Sequence, residues 1–267
     1  MNLVSTGLNL EGRTALITGG AGGLGSVIAS TLAELGCALI LVDLDETKLI
    51  EKKEEVQDRF KTEVVVEVCD LESEEQRFSL ISKINTQNGH LNILVNNAAF
   101  VGTSNLEGWA VPFESQSVGT FRRALEVNLV APFDLARGLS QLMRGSEGAS
   151  IVNIASIYGQ FGPDWRIYSG TTIGNPAAYA ASKAGLIQLT RWMATTLAPQ
   201  IRVNAISPGG VKSDQSESFV AAYKSRTPLE RMAEYADFSG AIAYLASDLS
   251  KYVTGQVLNV DGGWGIW

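Results

Sequence analysis

Thr14-Ala-Leu-Ile-Thr-Gly-Gly-Ala-Gly-Gly-Leu-Gly25 is the stretch of sequence that decides the fold. Residues 13–18 form a short apolar run that predicts a buried strand, and residues 26–35 carry apolar side chains at helical spacing. The glycines between them let the backbone turn tightly and approach a pyrophosphate, while the helix N-terminus offers unpaired N–H groups to the anion. This order predicts the beginning of a nucleotide-binding fold, and a plain glycine-rich turn is the alternative.

An acidic residue directly follows the second predicted strand. Residues 38–42 are apolar, and Asp43 comes next, 18 positions after Gly25. A carboxylate at about 20 residues from the loop accepts hydrogen bonds from the ribose hydroxyls of a dinucleotide and repels a 2′-phosphate. Leu44 and Asp45 follow, and the glycine loop contains no Lys or Arg. The sequence therefore predicts NAD(H) rather than NADP(H) as cofactor, unless Asp43 only caps a helix.

Strands and helices alternate along the rest of the chain. Further strands are predicted at 64–68, 91–95, 150–155, 201–206 and 256–260, and helices at 47–60, from Ser73, and at 120–143, 176–197 and 235–247. Residues 212–232 are predicted as a polar, mobile segment. We therefore expect an α/β fold, a Rossmann-type doubly wound parallel sheet of about seven strands in a single domain.

The carboxyl edge of such a sheet is where ligands bind. Residues expected at that edge are Gly19, Asp43, Asn97, Ser156 and Pro208. Asp70 follows the third strand and either reaches the adenine edge or caps the next helix. Tyr179-Ala-Ala-Ser-Lys183 places a phenol and an ammonium at i and i+4 on one helix face, where the cation would lower the tyrosine pKa. Such a pair also occurs by chance on many helices.

Composition limits the classes of partner. The formal net charge is −7 and the pI is about 4.9, which argues against nucleic acid or an anionic membrane. A single histidine, His90, and two cysteines, Cys37 and Cys69, leave no expected metal site. The sequence predicts neither a leader peptide nor a membrane span, so the expected location is the cytoplasm.

The chain resembles the short-chain dehydrogenase/reductase family over essentially its whole length. The resemblance is carried by Thr18-Gly19-x-x-x-Gly23-x-Gly25, Asp43, Asn96-Asn97-Ala98, Asn128, Ser156, Tyr179-x-x-x-Lys183, Pro208-Gly209 and Gly262-Gly263. It implies that Tyr179 is the acid/base, that Lys183 lowers its pKa and binds the nicotinamide ribose, that Ser156 binds the reacting oxygen, and that Asn128 holds a water in a relay toward Lys183.

The resemblance also implies the residues that contact the ligands. The expected cofactor-binding residues are Gly19, Gly23, Leu24, Gly25, Asp43, Leu44, Asp70, Leu71, Asn97, Ala98, Tyr179, Lys183, Pro208, Gly209 and Val211. The expected substrate-binding residues are Ser156, Tyr158, Arg166 and Tyr179. Within a single domain of residues 1–267, residues 13–100 would mainly bind the cofactor, and loops 101–118, 157–176 and 210–236 would border the substrate.

Three features depart from the family pattern. Ala99 replaces a usual glycine, and Ser213 is the only match to a threonine that often contacts the carboxamide. Ser156 and Tyr179 are 23 positions apart, several more than in most relatives, so residues 159–175 are an insertion that we expect to shape the substrate entrance.

The tail and the insertion are similar to short-chain dehydrogenases encoded with bacterial flagellin-glycan and nonulosonate pathways. This similarity implies a sugar or sugar-phosphate substrate, with Arg166, Lys212 and Lys224 either facing an anionic group or simply solvated. The expected function is oxidation of a secondary alcohol or reduction of a ketone with NAD(H). An epimerase or dehydratase that recycles NAD, and a non-catalytic NAD-binding protein, are the alternatives. Family members usually form homodimers or homotetramers.

Overall fold

The computed structural model describes residues 2–101, 106–171 and 173–267. Over these ranges the chain forms a parallel sheet of seven strands in the order β3-β2-β1-β4-β5-β6-β7. The strands are β1 Thr14–Thr18, β2 Ala38–Asp43, β3 Val64–Val68, β4 Ile93–Asn96, β5 Ser150–Ile154, β6 Arg202–Pro208 and β7 Val257–Val260. The predicted doubly wound sheet in a single domain is confirmed.

Helices cover both faces of the sheet. They are α1 Leu3–Leu8, α2 Gly23–Glu34, α3 Glu46–Phe60, α4 Glu74–Gln87, α5 Val118–Leu125, α6 Ala131–Arg144, α7 Ala177–Leu197, α8 Glu217–Arg226 and α9 Ser239–Ala246. A π-helical turn, Glu126–Val130, joins α5 to α6. None of the helices that the described ranges contain combines the length and the apolar character needed to cross a bilayer.

Alternate side chains of β1 show why the sheet needs two helical layers. Ile17 packs in one core cluster with Leu32 of α2, whereas Leu16 packs in a second cluster with Leu139 of α6. Successive side chains of a strand point to opposite faces, so both faces of this central strand are buried. Burial of each aliphatic side chain stabilises the folded protein by about 1.5–3 kcal/mol. This packing on both faces holds the ends of the strands in fixed positions.

The sequence predictions were incomplete or wrong at three elements. Helix α1 was not predicted, and residues 212–232 are not merely a polar segment because they contain α8. Phe219 and Tyr223 on α8 are buried against Trp264 and Tyr168, so apolar packing orders this helix. Pro176 precedes α7 as its N-cap residue instead of beginning the helix.

Candidate active site

A cleft of about 960 Å³ opens at the carboxyl edge of the sheet. All of the predicted cofactor-binding residues line it: Gly19, Gly23, Leu24, Gly25, Asp43, Leu44, Asp70, Leu71, Asn97, Ala98, Tyr179, Lys183, Pro208, Gly209 and Val211. Ser156 and Tyr158 line the same cleft. The fold thus brings together residues that are as far apart in sequence as Gly19 and Val211.

The glycine loop is closed so tightly that two positions exclude a side chain. Gly19 has a φ of +64°, and a Cβ on Gly25 would lie 1.9 Å from the Gly19 carbonyl oxygen. At Gly23 a Cβ would lie 2.4 Å from the ring of Tyr235, a cleft residue that sequence reasoning missed. No described side chain caps the N-terminus of α2 at Gly22, so its backbone N–H groups can receive a pyrophosphate.

Asp43 is held beside this loop by the backbone. Its carboxylate accepts hydrogen bonds from the Ala21 N–H at 3.1 Å and from the Leu44 N–H at 2.7 Å. The residue that caps α3 is Asp45, whose side chain accepts from the Lys48 N–H at 3.1 Å. The alternative role of Asp43 as a helix cap is therefore wrong, and its carboxylate lines the cleft.

Neighbouring strand ends complete the floor of the cleft. The Asn97 amide donates to the Thr18 carbonyl at 2.9 Å and to the Gly19 carbonyl at 3.1 Å, which ties the end of β4 to the glycine loop. Asp70 accepts from the Glu72 N–H at 2.9 Å, whereas Ser73 caps α4. Asp70 therefore lines the cleft without being the helix cap.

Tyr179 and Lys183 lie one helical turn apart beside the end of β5. Lys183 is only 2% exposed, and its ammonium lies 5.8 Å from the centroid of the Tyr179 ring and donates to the Ile154 carbonyl at 2.7 Å. Burial raises the pKa of Tyr179, and a hydrogen bond with Ser156 lowers it in part. Burial also lowers the pKa of Lys183 to about 8.

These pKa directions correct one expectation. We expected Lys183 to lower the tyrosine pKa, but in this structure burial dominates and the Tyr179 pKa is raised. A buried environment favours the neutral form of both groups. A proton is thus kept on the phenol, where the group can donate it to a substrate oxygen.

Asn128 is fully buried in the π-helical turn, a feature that is frequent at functional sites. Its Oδ1 accepts from the Phe100 N–H at 2.6 Å, and its Nδ2 donates to Ser182 Oγ at 3.0 Å. Ser182 Oγ in turn donates to the Tyr179 carbonyl at 2.9 Å. The described contacts therefore make Asn128 an anchor for α7 and include none with Lys183.

The predicted cationic substrate residues do not reach the cleft. Arg166 has a side chain that is 77% exposed, and it binds both carboxylate oxygens of Asp164 at 2.8 Å. Lys212 and Lys224 also lie outside the cleft lining, and Lys224 borders a separate surface pocket with Trp267. The cleft lining thus gives no support to a contact between Arg166 and a substrate, which stays a prediction.

The described wall of the cleft on the substrate side comes from Tyr158, from the insertion, and from α8 with its flanking residues. We define the substrate wall as Tyr158, Tyr168, Gln215, Phe219, Tyr223 and Met232, all of which line the cleft. Sequence reasoning had singled out only Tyr158 as a ligand. The spacing of Phe219 and Tyr223, four positions apart in a polar segment, was the available signal for the others. Residues 102–105 of the predicted loop 101–118, and residue 172 of the insertion, lie outside the described residues.

Known proteins share this sequence pattern and this architecture. A family model described as enoyl-(acyl carrier protein) reductase matches residues 19–265. The 3-oxoacyl-acyl-carrier-protein reductase FabG of Rickettsia typhi is 35% identical over 96% of this chain and 98% of its own length. Post-translational flagellin modification protein A of Campylobacter coli is 28% identical over 96% of this chain and all of its own length.

A solved structure agrees with these sequence matches. The gluconate 5-dehydrogenase of Burkholderia cenocepacia J2315, in complex with NADP and tartrate, has a TM-score of 0.86 and 28% identity and covers 99% of each chain. The glycine loop, the strand-end asparagine and the Ser-Tyr-Lys residues meet in one cleft of a fold that these relatives share. The chain belongs to the short-chain dehydrogenase/reductase family of oxidoreductases.

Proposed function

We propose that this protein is an NAD(H)-dependent oxidoreductase that interconverts a secondary alcohol and a ketone. The observation that carries the proposal is the meeting of Ser156, Tyr179 and Lys183 in one cleft with the glycine loop and Asp43. A nicotinamide cofactor bound in this cleft would supply the hydride, while the protein supplies orientation and proton transfer. The closed glycine loop and the uncapped start of α2 fit the pyrophosphate of such a cofactor.

Each catalytic side chain has a role that its surroundings support. Tyr179 donates its proton to the carbonyl oxygen during reduction and accepts the alcohol proton during oxidation. Ser156, which lies close enough to the Tyr179 phenol to lower its pKa, orients the same oxygen. Lys183, fixed by the Ile154 carbonyl, provides the nearby positive charge and a donor to the ribose. Asn128 holds the π-helical turn against α7 and so positions Tyr179.

NAD(H) is favoured over NADP(H) by the charge at Asp43. Its carboxylate is fixed next to the glycine loop, where it would accept from ribose hydroxyls and repel a 2′-phosphate. Lys48, a cation in the cleft lining, is paired with Asp45 at 3.2 Å. The Burkholderia relative binds NADP, so the affinities of this protein for NADH and NADPH need to be compared directly.

A sugar or sugar-derived substrate is the substrate class that we propose. Support comes from the resemblance to flagellin modification protein A and from the polyol acid named in gluconate 5-dehydrogenase. We also propose a cytoplasmic homodimer or homotetramer. The exposed apolar side chains of Val118, Phe133 and Trp192 on α5, α6 and α7 support assembly through these helices.

The deciding experiment compares wild type with Tyr179→Phe on a panel of ketones and sugars, with NADH fluorescence as a second measurement. We expect kcat to fall by about 100- to 10,000-fold with the NADH Kd nearly unchanged, because only the proton donor is lost. Tyr252→Phe, a fully exposed tyrosine, is the matched control. Full turnover by Tyr179→Phe would exclude the mechanism. Isomerised substrate without free NADH would favour the epimerase alternative, and NADH binding without any turnover would favour a binding protein.

A further inference from the structure

The substrate wall contains a pair of phenols that the proposed chemistry does not use. The hydroxyls of Tyr158 and Tyr168 are hydrogen-bonded to each other, and both rings line the cleft. Tyr158 is tied to the reaction centre because its backbone N–H donates to Ser156 Oγ at 3.2 Å. The phenol pair therefore shares the cleft with Ser156, the residue that would orient the reacting oxygen.

A count of donors shows that this pair has an unused proton. Two phenols have two O–H groups, and their mutual hydrogen bond uses one of them. The Asn175 amide lies close enough to lower the pKa of both phenols, yet its enclosed Nδ2 has no aligned partner among the described residues. Asn175 is only 7% exposed, so this donor is shielded from solvent. The phenol pair and the Asn175 amide therefore both have N–H or O–H donors without a partner among the described residues. An acceptor oxygen of a ligand would supply that partner.

The substrate wall itself carries no charge. None of the six residues of the substrate wall is ionised at neutral pH, since burial raises the pKa of Tyr158, Tyr168 and Tyr223 above the ordinary tyrosine value. Residues 102–105 and 172 have no ionisable side chain in the sequence. The two nearest arginines of this region, Arg166 and Arg226, are both paired with Asp164, at 2.8 and 2.9 Å.

The other charged residues of the cleft belong to its cofactor side. Asp43, Lys48, Asp70 and Glu72 follow β2 and β3, and Arg123 is paired with Glu72 at 2.7 Å. Lys183 is held by the Ile154 carbonyl. An anionic group placed against the substrate wall would lose its hydration without gaining a counter-charge, which is strongly unfavourable.

We propose that Tyr158 and Tyr168, backed by Asn175, bind a second, uncharged oxygen of the substrate, so that the site takes neutral polyoxygenated alcohols and ketones and rejects their carboxylate and phosphate derivatives. The proposal rests on the proposed function and narrows it, because it removes sugar phosphates and sugar acids from the candidate substrates. The aromatic faces of Phe219 and Tyr223 provide apolar contact for a ring or carbon chain.

The test uses cyclic polyols and sugars, each paired with its deoxy analogue and with its carboxylate or phosphate derivative. Wild type should prefer the neutral oxygenated member of each set. Tyr158→Phe and Tyr168→Phe should each lower kcat/KM for that member by about 10- to 100-fold and leave the deoxy analogue nearly unaffected. Tyr252→Phe is the control, and the NADH Kd should stay unchanged in all three variants.

A second variant examines the charge argument. Asp164→Asn should release Arg166 and Arg226 and raise the activity toward anionic members relative to neutral ones. Wild type that prefers anionic members, or phenol variants that slow oxygenated and deoxy compounds equally, would overturn the inference while leaving the oxidoreductase intact. If no compound reacts, the test becomes the binding of the neutral compounds to the complex of the protein with NADH. Absence of that binding would also contradict the inference. Turnover that survives Tyr179→Phe would instead contradict the proposed function.

Discussion

Lys183 is an ammonium group with almost no access to solvent. Burial lowers its pKa from an unfolded-state value of 10.5 to about 8, and its one described hydrogen bond goes to the Ile154 carbonyl. The folded protein therefore binds fewer protons than the unfolded chain between these two pKa values. Burial of the Lys183 ammonium beside Tyr179 therefore lowers the free energy of unfolding, by an amount on the order of 3 kcal/mol at neutral pH.

The pH dependence of stability should reveal this cost. The contribution of Lys183 to the free energy of unfolding should rise as pH increases from about 8 toward 10.5, because the unfolded state then releases the proton that the folded state already lacks. From about pH 9 upward the buried thiols of Cys37 and Cys69, whose pKa burial raises to about 12 and about 11, act in the opposite direction, as does the raised pKa of Tyr179. The contribution of Lys183 is therefore measured as the difference in stability between wild type and Lys183→Met, by urea unfolding of the cofactor-free proteins at about pH 7.5 and about pH 9.5. Wild type should gain stability relative to Lys183→Met between these two pH values, and an unchanged difference would contradict the assignment to Lys183.

Cofactor choice is also decided at a single residue. We expect wild type to bind NADH at least about tenfold more tightly than NADPH, because Asp43 repels a 2′-phosphate. Asp43→Ser should bring the two dissociation constants within a few-fold of each other. Asp58→Asn, which removes an exposed charge on α3, is the control for net charge. Tight NADPH binding by wild type would show that Lys48 outweighs Asp43.

At the scale of elements, the start of α2 depends on the absence of side chains in the glycine loop. A methyl group on Gly25 would lie 1.9 Å from the Gly19 carbonyl oxygen, whereas one on Gly22 would lie 3.4 Å from the same atom. The first contact requires the backbone to move, and the second is an ordinary van der Waals contact.

These two glycines form a matched pair of substitutions. Gly25→Ala should lower the Tm and cost about 1–3 kcal/mol or more, because the loop and α2 are forced apart. Gly22→Ala makes no comparable clash but replaces a favoured N-cap residue, so it should cost less, about 0.5–1 kcal/mol. Thermal unfolding of the cofactor-free protein distinguishes the two. Equal Tm values for both variants would show that the loop yields easily, and the close packing would then not explain its glycines.

The elements also show where sequence reasoning was sufficient. Strand bounds and the sheet edge were predictable because continuous apolar runs such as residues 38–42 end at glycine or acidic residues. The role of Asp43 could not be separated from capping by sequence alone, because Asp45 stands two residues away and takes the cap. The burial of Phe219 could not be predicted, because it depends on a cluster with Trp264, which is remote from it in the sequence.

At the scale of the whole molecule, an aromatic series links the C-terminal region to the cleft. Trp264 stacks on Tyr223 with 4.3 Å between ring centroids, Tyr223 neighbours Phe219 at 6.1 Å, and Phe219 neighbours Tyr168 at 5.5 Å. The Tyr223 hydroxyl also accepts from the Gly210 N–H, beside the end of β6. Long-range packing of this kind fixes the direction of Arg166 as well, since Arg226 of α8 shares Asp164 with it. The sequence prediction for Arg166 could not take this shared carboxylate into account, because Arg226 is remote in the sequence.

Removal of the Trp264 ring should therefore disturb the packing of the substrate wall. Trp264→Ala should cost about 3–5 kcal/mol of stability and lower kcat/KM for the substrate more than it weakens NADH binding. Trp267→Ala, at a side chain that is 71% exposed, is the control from the same region. Thermal unfolding, NADH titration and steady-state kinetics together check this expectation. A loss of NADH binding as large as the loss of kcat/KM would contradict the link to the substrate wall.

The positions of two buried tryptophans have an optical consequence. Trp109 packs in the cluster that contains Tyr179, with its indole N–H on the Val101 carbonyl, and Trp264 stacks in the cluster that contains Tyr223. Indole emission overlaps the absorption of a reduced nicotinamide, so each ring is a natural energy donor to a ligand in the cleft. Excitation of variants that keep Trp109 or Trp264 as their only tryptophan, out of the five in the sequence, would follow the filling of the cleft from either wall, without any attached dye.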